Sequence, residues 1–158
     1  MITNDTIEEY LIHTELPYEQ VQEGMWLIHD EHDFVDNVVV IHTPPVITFR
    51  VKILDIEDIP ADKKGAVYEY LLRLNANELV AGAYGLEDDA VVITDSLQSE
   101  NLDYNEFQAS IDSITLSIRE HHGQVLDALL ARHHRLPVFQ HAAPELSQHA
   151  DRPASALI

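Results

Sequence analysis

The sequence predicts an α+β domain, an antiparallel sheet with helices packed against it, in the order α-β-β-β-α-β-β-α. Three observations carry this. Residues 25–54 hold three apolar stretches joined by connections too short for a parallel crossover. A second pair of apolar stretches flanks an acidic tip, Glu87-Asp88-Asp89. The helical segments are segregated from these strand groups instead of alternating with single strands.

The first helix is read from "DTIEEYLIHTEL", with Asp5 as its cap and Glu8 completing a reciprocal capping box three residues on. Ile7, Tyr10 and Leu11 share its apolar face, and Leu16-Pro17 ends it. Three strands are expected next, Met25–His29, Asn37–Thr43 and Val46–Leu54. In the third, Ile47, Phe49, Val51 and Ile53 alternate against Thr48, Arg50 and Lys52. Pro44-Pro45 marks the turn before it, since neither residue can donate to a ladder. A second helix spans Lys63 to Ala76, with Asp62 as its expected cap and Val67, Tyr70, Leu71 and Leu74 on one stripe.

"LVAGAYGL" and "AVVITD" then pair as a hairpin, with Asp89 suited to the turn geometry. The last helix has the clearest start. Asp103 caps it, Glu106 sits at the reciprocal position, and Leu102 staples to Phe107. Phe107, Ile111, Ile114, Ile118, Val125 and Leu129 follow at helical spacing, with His121 occupying the remaining stripe position. Residues 1–135 are therefore expected to form one domain. The segment 136–158, rich in Pro and Ala, is expected to be a flexible tail.

Composition narrows the function classes. The 158 residues carry a formal net charge of −19 and no cysteine. Such a surface repels phosphate backbones and anionic headgroups, so neither nucleic acid nor membrane is an expected partner. Thiolate chemistry, disulfides and Cys-based zinc sites are excluded. The N-terminus has no basic-then-apolar leader pattern and no apolar run reaches a membrane span, so a cytoplasmic protein is expected.

Ten histidines raise the question of a metal. In "IHDEHDF", His29 and His32 are three apart, which on a strand points them to opposite faces. A polar turn and a weak surface metal site both remain open there, and no metal ligand is assigned. The doublets in "EHHG" and "ARHHR" offer one ring per helix face, and the second suits the negative end of a helix without any ligand. "GAYG" lacks the Gly-Lys-Ser/Thr of a phosphate cradle and is followed by acids, so its glycines are read as a bulge or close crossing. Ser96 and Ser99 sit in no nucleophile-elbow context, and no catalytic residue or cofactor is assigned. Thr48, Arg50 and Lys52 form a basic stripe, expected to pair with acids across the sheet.

The run "LLRLNANELVAGAYGLEDDAVVITDSLQSENLDYNEF" (71–107) resembles the YbjN-like proteins, which share the fold of the type III secretion chaperones that include CesT. The features are Leu-Asn before a Gly-containing strand, the acidic tip, "VVITDSL", and "LDYNEF" opening a long helix. "LPYEQVQEGMWLIHD" agrees with it. The resemblance implies a small, acidic, non-enzymatic bacterial protein, commonly a homodimer, that holds an extended segment of a client.

The expected function is accordingly a non-catalytic, chaperone-like protein-binding module whose partner is a client or regulatory protein. Tyr10, Trp26, Ile28 and Phe49 are its candidate contact residues, taken as exposed apolar positions. The alternative is a sensor domain whose assembly responds to pH or metal through its histidines. A hydrolase built from dispersed carboxylates ranks last, because no residue trio supports it.

Overall fold

A helix, α1 (Asn4–His13), leads into four strands, β1 (Tyr18–Gln22), β2 (Met25–Ile28), β3 (Val38–Thr43) and β4 (Val46–Asp55). After a 3-10 turn at Ile56–Asp58 come α2 (Lys64–Asn77), the hairpin β5 (Ala83–Glu87) and β6 (Ala90–Gln98), and the long α3 (Tyr104–Leu130). This computed structural model describes residues 2–29 and 37–130, without the side chains of His122, Leu126, Ala128, Leu129 and Leu130. All six strands join one sheet, ordered β1-β2-β3-β4-β6-β5, with every pair antiparallel. The α+β class and the helix-and-meander order agree with the sequence. The tail 136–158, the doublet at His133-His134, and His32 lie outside the described residues.

Among the described residues the strand count is six where five were expected. The extra strand, β1, reads "YEQVQ" and is almost wholly exposed, so burial never imposed the apolar alternation by which the other strands are recognised. A bulge near Val21 further breaks its period against β2. Gly24, at φ +74°, makes the turn between them; a Cβ there would stand 2.9 Å from the His42 carbonyl oxygen.

Several local signals resolve differently from expectation. Thr3, not Asp5, caps α1, and Thr6 completes the capping box. Glu8 is thereby free to accept from the Trp26 indole at 3.3 Å. Asp62 does not cap α2, whose N-cap Lys63 makes no side-chain cap bond. In the β5–β6 turn Asp88, not Asp89, takes the positive φ of 49°. A bulge between Lys52 and Leu54 drops Ile53 from the register and pairs Leu54 with Val91. Gly82 and Gly85 form neither a bulge nor a helix crossing. Gly82 is a strand approach at φ +73°, with Thr94's carbonyl oxygen 2.6 Å from an added Cβ, and Gly85 meets nothing.

The α3 start is as expected. Asp103 Oδ1 accepts from Glu106 N at 2.9 Å, and Glu106 Oε2 accepts from Asp103 N at 3.2 Å. The stripe Phe107, Ile111, Ile114, Ile118, His121 and Val125 is buried, as are Val67, Tyr70, Leu71 and Leu74 of α2. Both meet the sheet residues that point the same way, Trp26, Ile28, Val38, Val40, Ile47, Phe49, Val51, Val91 and Ile93, in one core. Their alternates Met25, Leu27, Val39, Ile41, Thr48 and Arg50 are only half-buried. The helices therefore cover one face of the sheet.

Candidate partner-binding site

A sheet of six strands has two outer edges, and each offers main-chain groups to a further strand. At β1 the parity of those groups is fixed by one hydrogen bond. Pro17 O accepts from His29 N at 2.8 Å, so residue 17 faces β2 and, alternating along the strand, so does Glu19, opposite Leu27. Tyr18 and Gln20 consequently point their N–H and C=O outward, and no strand pairs with them among the described residues. The side chains around them are exposed: Glu19, Gln20, Val21, Gln22 and Glu23.

The other edge is clamped at one position. In β5 the N–H and C=O of Tyr84 point outward, as do those of Leu86 two residues on, and the Asn75 amide takes both groups of Tyr84. Tyr84 N donates to Asn75 Oδ1 at 2.7 Å, and Asn75 Nδ2 donates to Tyr84 O at 3.0 Å. One side chain thus does what a neighbouring strand's peptide unit would do. Below it, Tyr84 Oη meets His121 Nδ1 at 3.2 Å, and Tyr70 Oη bonds Gln124. Burial pushes the Tyr84 phenol up and the His121 imidazole down, against the opposing charges of Glu120 and Glu78.

The four candidate contact residues do not form an exposed patch. Trp26, Ile28 and Phe49 have no accessible surface. The period of two that groups them turns them toward the helices, where Phe49 stacks edge-on to Phe107 with centroids 5.1 Å apart. Tyr10 is half-buried against Tyr104 and Phe107, and its hydroxyl donates to Leu102 O at 3.1 Å. The exposed apolar positions among the described residues lie elsewhere: Ile12 on α1, Val21 in β1, Val46 in β4, Leu116 on α3, and Leu72, Val80 and Leu86 around α2 and β5. Sequence reasoning missed the β1 edge and the Asn75 clamp. Asn75 belonged to the Leu-Asn pair of the family resemblance, so a signal was present without its mechanism.

Of the basic stripe, Arg50 pairs with an acid across the sheet as expected, whereas Lys52 pairs with Asp55 of its own strand and Thr48 with a serine. Arg50 Nε lies 2.8 Å from Glu87 and Lys52 Nζ 2.7 Å from Asp55, while Thr48 and Ser96 share a hydrogen bond at 3.1 Å. His29 approaches Glu19 at 3.7 Å. Among the described residues no group of three or more His, Asp or Glu could hold a metal ion. No described helix is long and apolar enough to cross a membrane.

The CesT_Tir_1 family model matches residues 2–131, which include all of the described fold. The chain belongs to this family. Its fold is also that of YbjN from E. coli, at 16% identity and TM-score 0.56 over 75% of this chain and 90% of that one. A chain of the heterodimeric ExoU–SpcU complex from the type III secretion system of Pseudomonas aeruginosa matches at 15% identity and TM-score 0.57, covering 78% of this chain and 98% of that one. A chain of the ExsC–ExsE complex matches at 10% and 0.53, over 77% and 94%. At such identities the likeness is one of fold. No curated protein matches in sequence. The YbjN-like and CesT-like character read from residues 71–107 is thereby established for this CesT_Tir_1 domain.

Proposed function

We propose that the chain is a non-enzymatic, cytoplasmic, chaperone-like domain that holds an extended segment of a partner protein as an added strand on β1. The observation that carries this is the outward main chain of Tyr18 and Gln20, an open template at one edge of a sheet whose other edge is clamped at Tyr84. Family membership supports a partner-binding role, and two of the similar folds come from complexes with a second protein. The apolar half of the face that the described helices leave open, Met25, Leu27, Val39 and Ile41, adjoins this edge and can receive alternate side chains of the segment. Homodimerisation is part of the same proposal, with exposed Leu72, Val80 and Leu86 supplying apolar contact. Sedimentation equilibrium giving the monomer mass at micromolar protein would remove the dimer.

Proline substitution tests the edge directly. Gln20→Pro deletes an outward N–H while leaving the β1–β2 ladder bonds in place. Peptides selected from a random display library on the full chain should bind this variant at least about tenfold more weakly, the scale of one or two lost main-chain bonds at an apolar rim. Equal binding to both proteins would move the capture site off β1.

A further inference from the structure

The charge of this chain is distributed unevenly along its length. No Lys or Arg precedes Arg50, so α1, β1, β2 and β3 are built without a single permanent cation. The described acids of that stretch are Asp5, Glu8, Glu9, Glu15, Glu19 and Glu23. Of these, Glu15, Glu19 and Glu23 bracket the open edge, one before β1, one within it and one after it, and all three are exposed. The cations of the sheet lie on β4 instead, and there Arg50 and Lys52 are already engaged by Glu87 and Asp55. Among the described residues the positive partner of a β1 carboxylate is His29, 3.7 Å from Glu19 and cationic only when protonated.

An added strand brings its side chains close to those of its neighbour, where opposite charges attract and like charges are penalised. A segment laid along β1 meets exposed carboxylates with no basic residue between them. From this we infer that the segment the β1 edge accepts is a basic one, an extended stretch whose Lys or Arg side chains fall on the face that Glu19 shares with Leu27. The cationic heads approach Glu19 and Glu23, and their methylene stems lie toward Leu27 and Met25. Acidic and neutral segments of equal strand propensity are rejected or held weakly, so charge selects among strands that the main chain alone would treat alike. The inference rests on the proposed strand addition and adds the chemistry of the partner.

The test uses the full chain as bait for a random-peptide display library, with isolates resynthesised and titrated by fluorescence anisotropy. Isolates should be enriched in Lys and Arg over the naive library. Their affinity should fall about tenfold or more as salt rises from ~0.1 to ~1 M, which shortens the screening length from about 10 to about 3 Å. They should also lose binding to Glu19→Lys/Glu23→Lys, a double change at exposed positions that leaves the core untouched. Neutral or acidic isolates that still need an open Gln20 would overturn the charge selection and leave strand addition standing. Basic isolates indifferent to the double variant would show attraction to the net charge of −19 at large, and would equally overturn it. Isolates that bind Gln20→Pro as well as the native chain, or no isolates at all, would overturn strand addition itself and the inference with it.

Discussion

At β5 the outward N–H and C=O of Tyr84 are held by the Asn75 amide, 2.7 and 3.0 Å away, whereas at β1 the equivalent groups of Tyr18 and Gln20 find no partner among the described residues. The two strands are otherwise alike. Each has five residues, pairs with one neighbour through a tight turn, and stands next to a positive-φ glycine, Gly24 or Gly82, whose missing Cβ lets a neighbouring carbonyl approach. The difference lies in what covers the edge. A free edge is an aggregation hazard as well as a binding device, and sheets commonly blunt the edges they do not use. Clamping β5 at Tyr84 while ringing β1 with carboxylates makes the two edges unequal templates for a further strand.

The largest effect expected on this comparison comes from beneath the open edge. Trp26 is fully buried opposite Gln20, and its indole N–H reaches Glu8 on α1. Trp26→Ala should cost about 3–5 kcal/mol in denaturant unfolding, the usual range for truncating a buried aromatic. A variant that keeps its stability but loses peptide capture would restore Trp26 as a contact residue and break the assignment of binding to the main chain.

Next in size is the clamp. Asn75→Ala strands a donor and an acceptor of Tyr84 at once, at an expected cost of about 1–3 kcal/mol. It also gives the sheet a second open edge, so analytical ultracentrifugation should show association rising with concentration beyond that of the native chain. Asn75→Asp retains the acceptor for Tyr84 N and loses the donor to Tyr84 O, and should fall between the two. If Asn75→Ala matches the native protein in both stability and mass, the clamp has no protective role and the asymmetry of the edges is incidental.

How much of this was legible in the sequence follows the same division. Where burial is strong, pattern and structure agree: the α2 stripe at Val67, Tyr70, Leu71 and Leu74, the α3 cap at Asp103 and Glu106, and the alternation through Ile47, Phe49 and Val51. Where function is proposed, burial is weak and the pattern fails. β1 shows no period because solvent constrains none of its side chains, and its working groups belong to the main chain, which every residue carries. The expected exposure of Trp26, Ile28 and Phe49 fails for a related cause. A period of two states which residues share a face but not which face the helices cover, and the covered face took all three. The Leu-Asn pair was visible as a family feature. Its meaning needed Tyr84, nine residues away, placed so that one amide meets both of its main-chain groups.

The smallest expected effect separates the two sides by pH. Among the described residues each side holds one buried imidazole, His42 on β3 behind α1 and His121 on α3 beneath β5, and burial lowers the pKa of both. The unfolded chain, with histidines near 6.5, binds protons that the folded one resists, so stability is complete above that value and declines as pH falls below it. The two sites differ in what can offset the charge. His121 faces Glu120 and Glu78, which pull its pKa back up, and the Tyr84 hydroxyl can accept from its Nδ1. His42 donates from Nδ1 to Asn4 Oδ1 at 2.8 Å, leaving Nε2 buried with no partner in the described fold and no carboxylate among the causes of its shift. A proton added at Nε2 therefore enters apolar surroundings, and acid should loosen the α1–β3 side before the β5 side. Denaturant midpoints compared at about pH 7.5 and about pH 5 should show the native chain losing more than His42→Gln, which cannot take up the proton. If the two lose equally while His121→Gln loses less, the sensitive site is at the clamped edge. Acid would then act on the closure of β5, which is where a pH-responsive assembly would have to be sought.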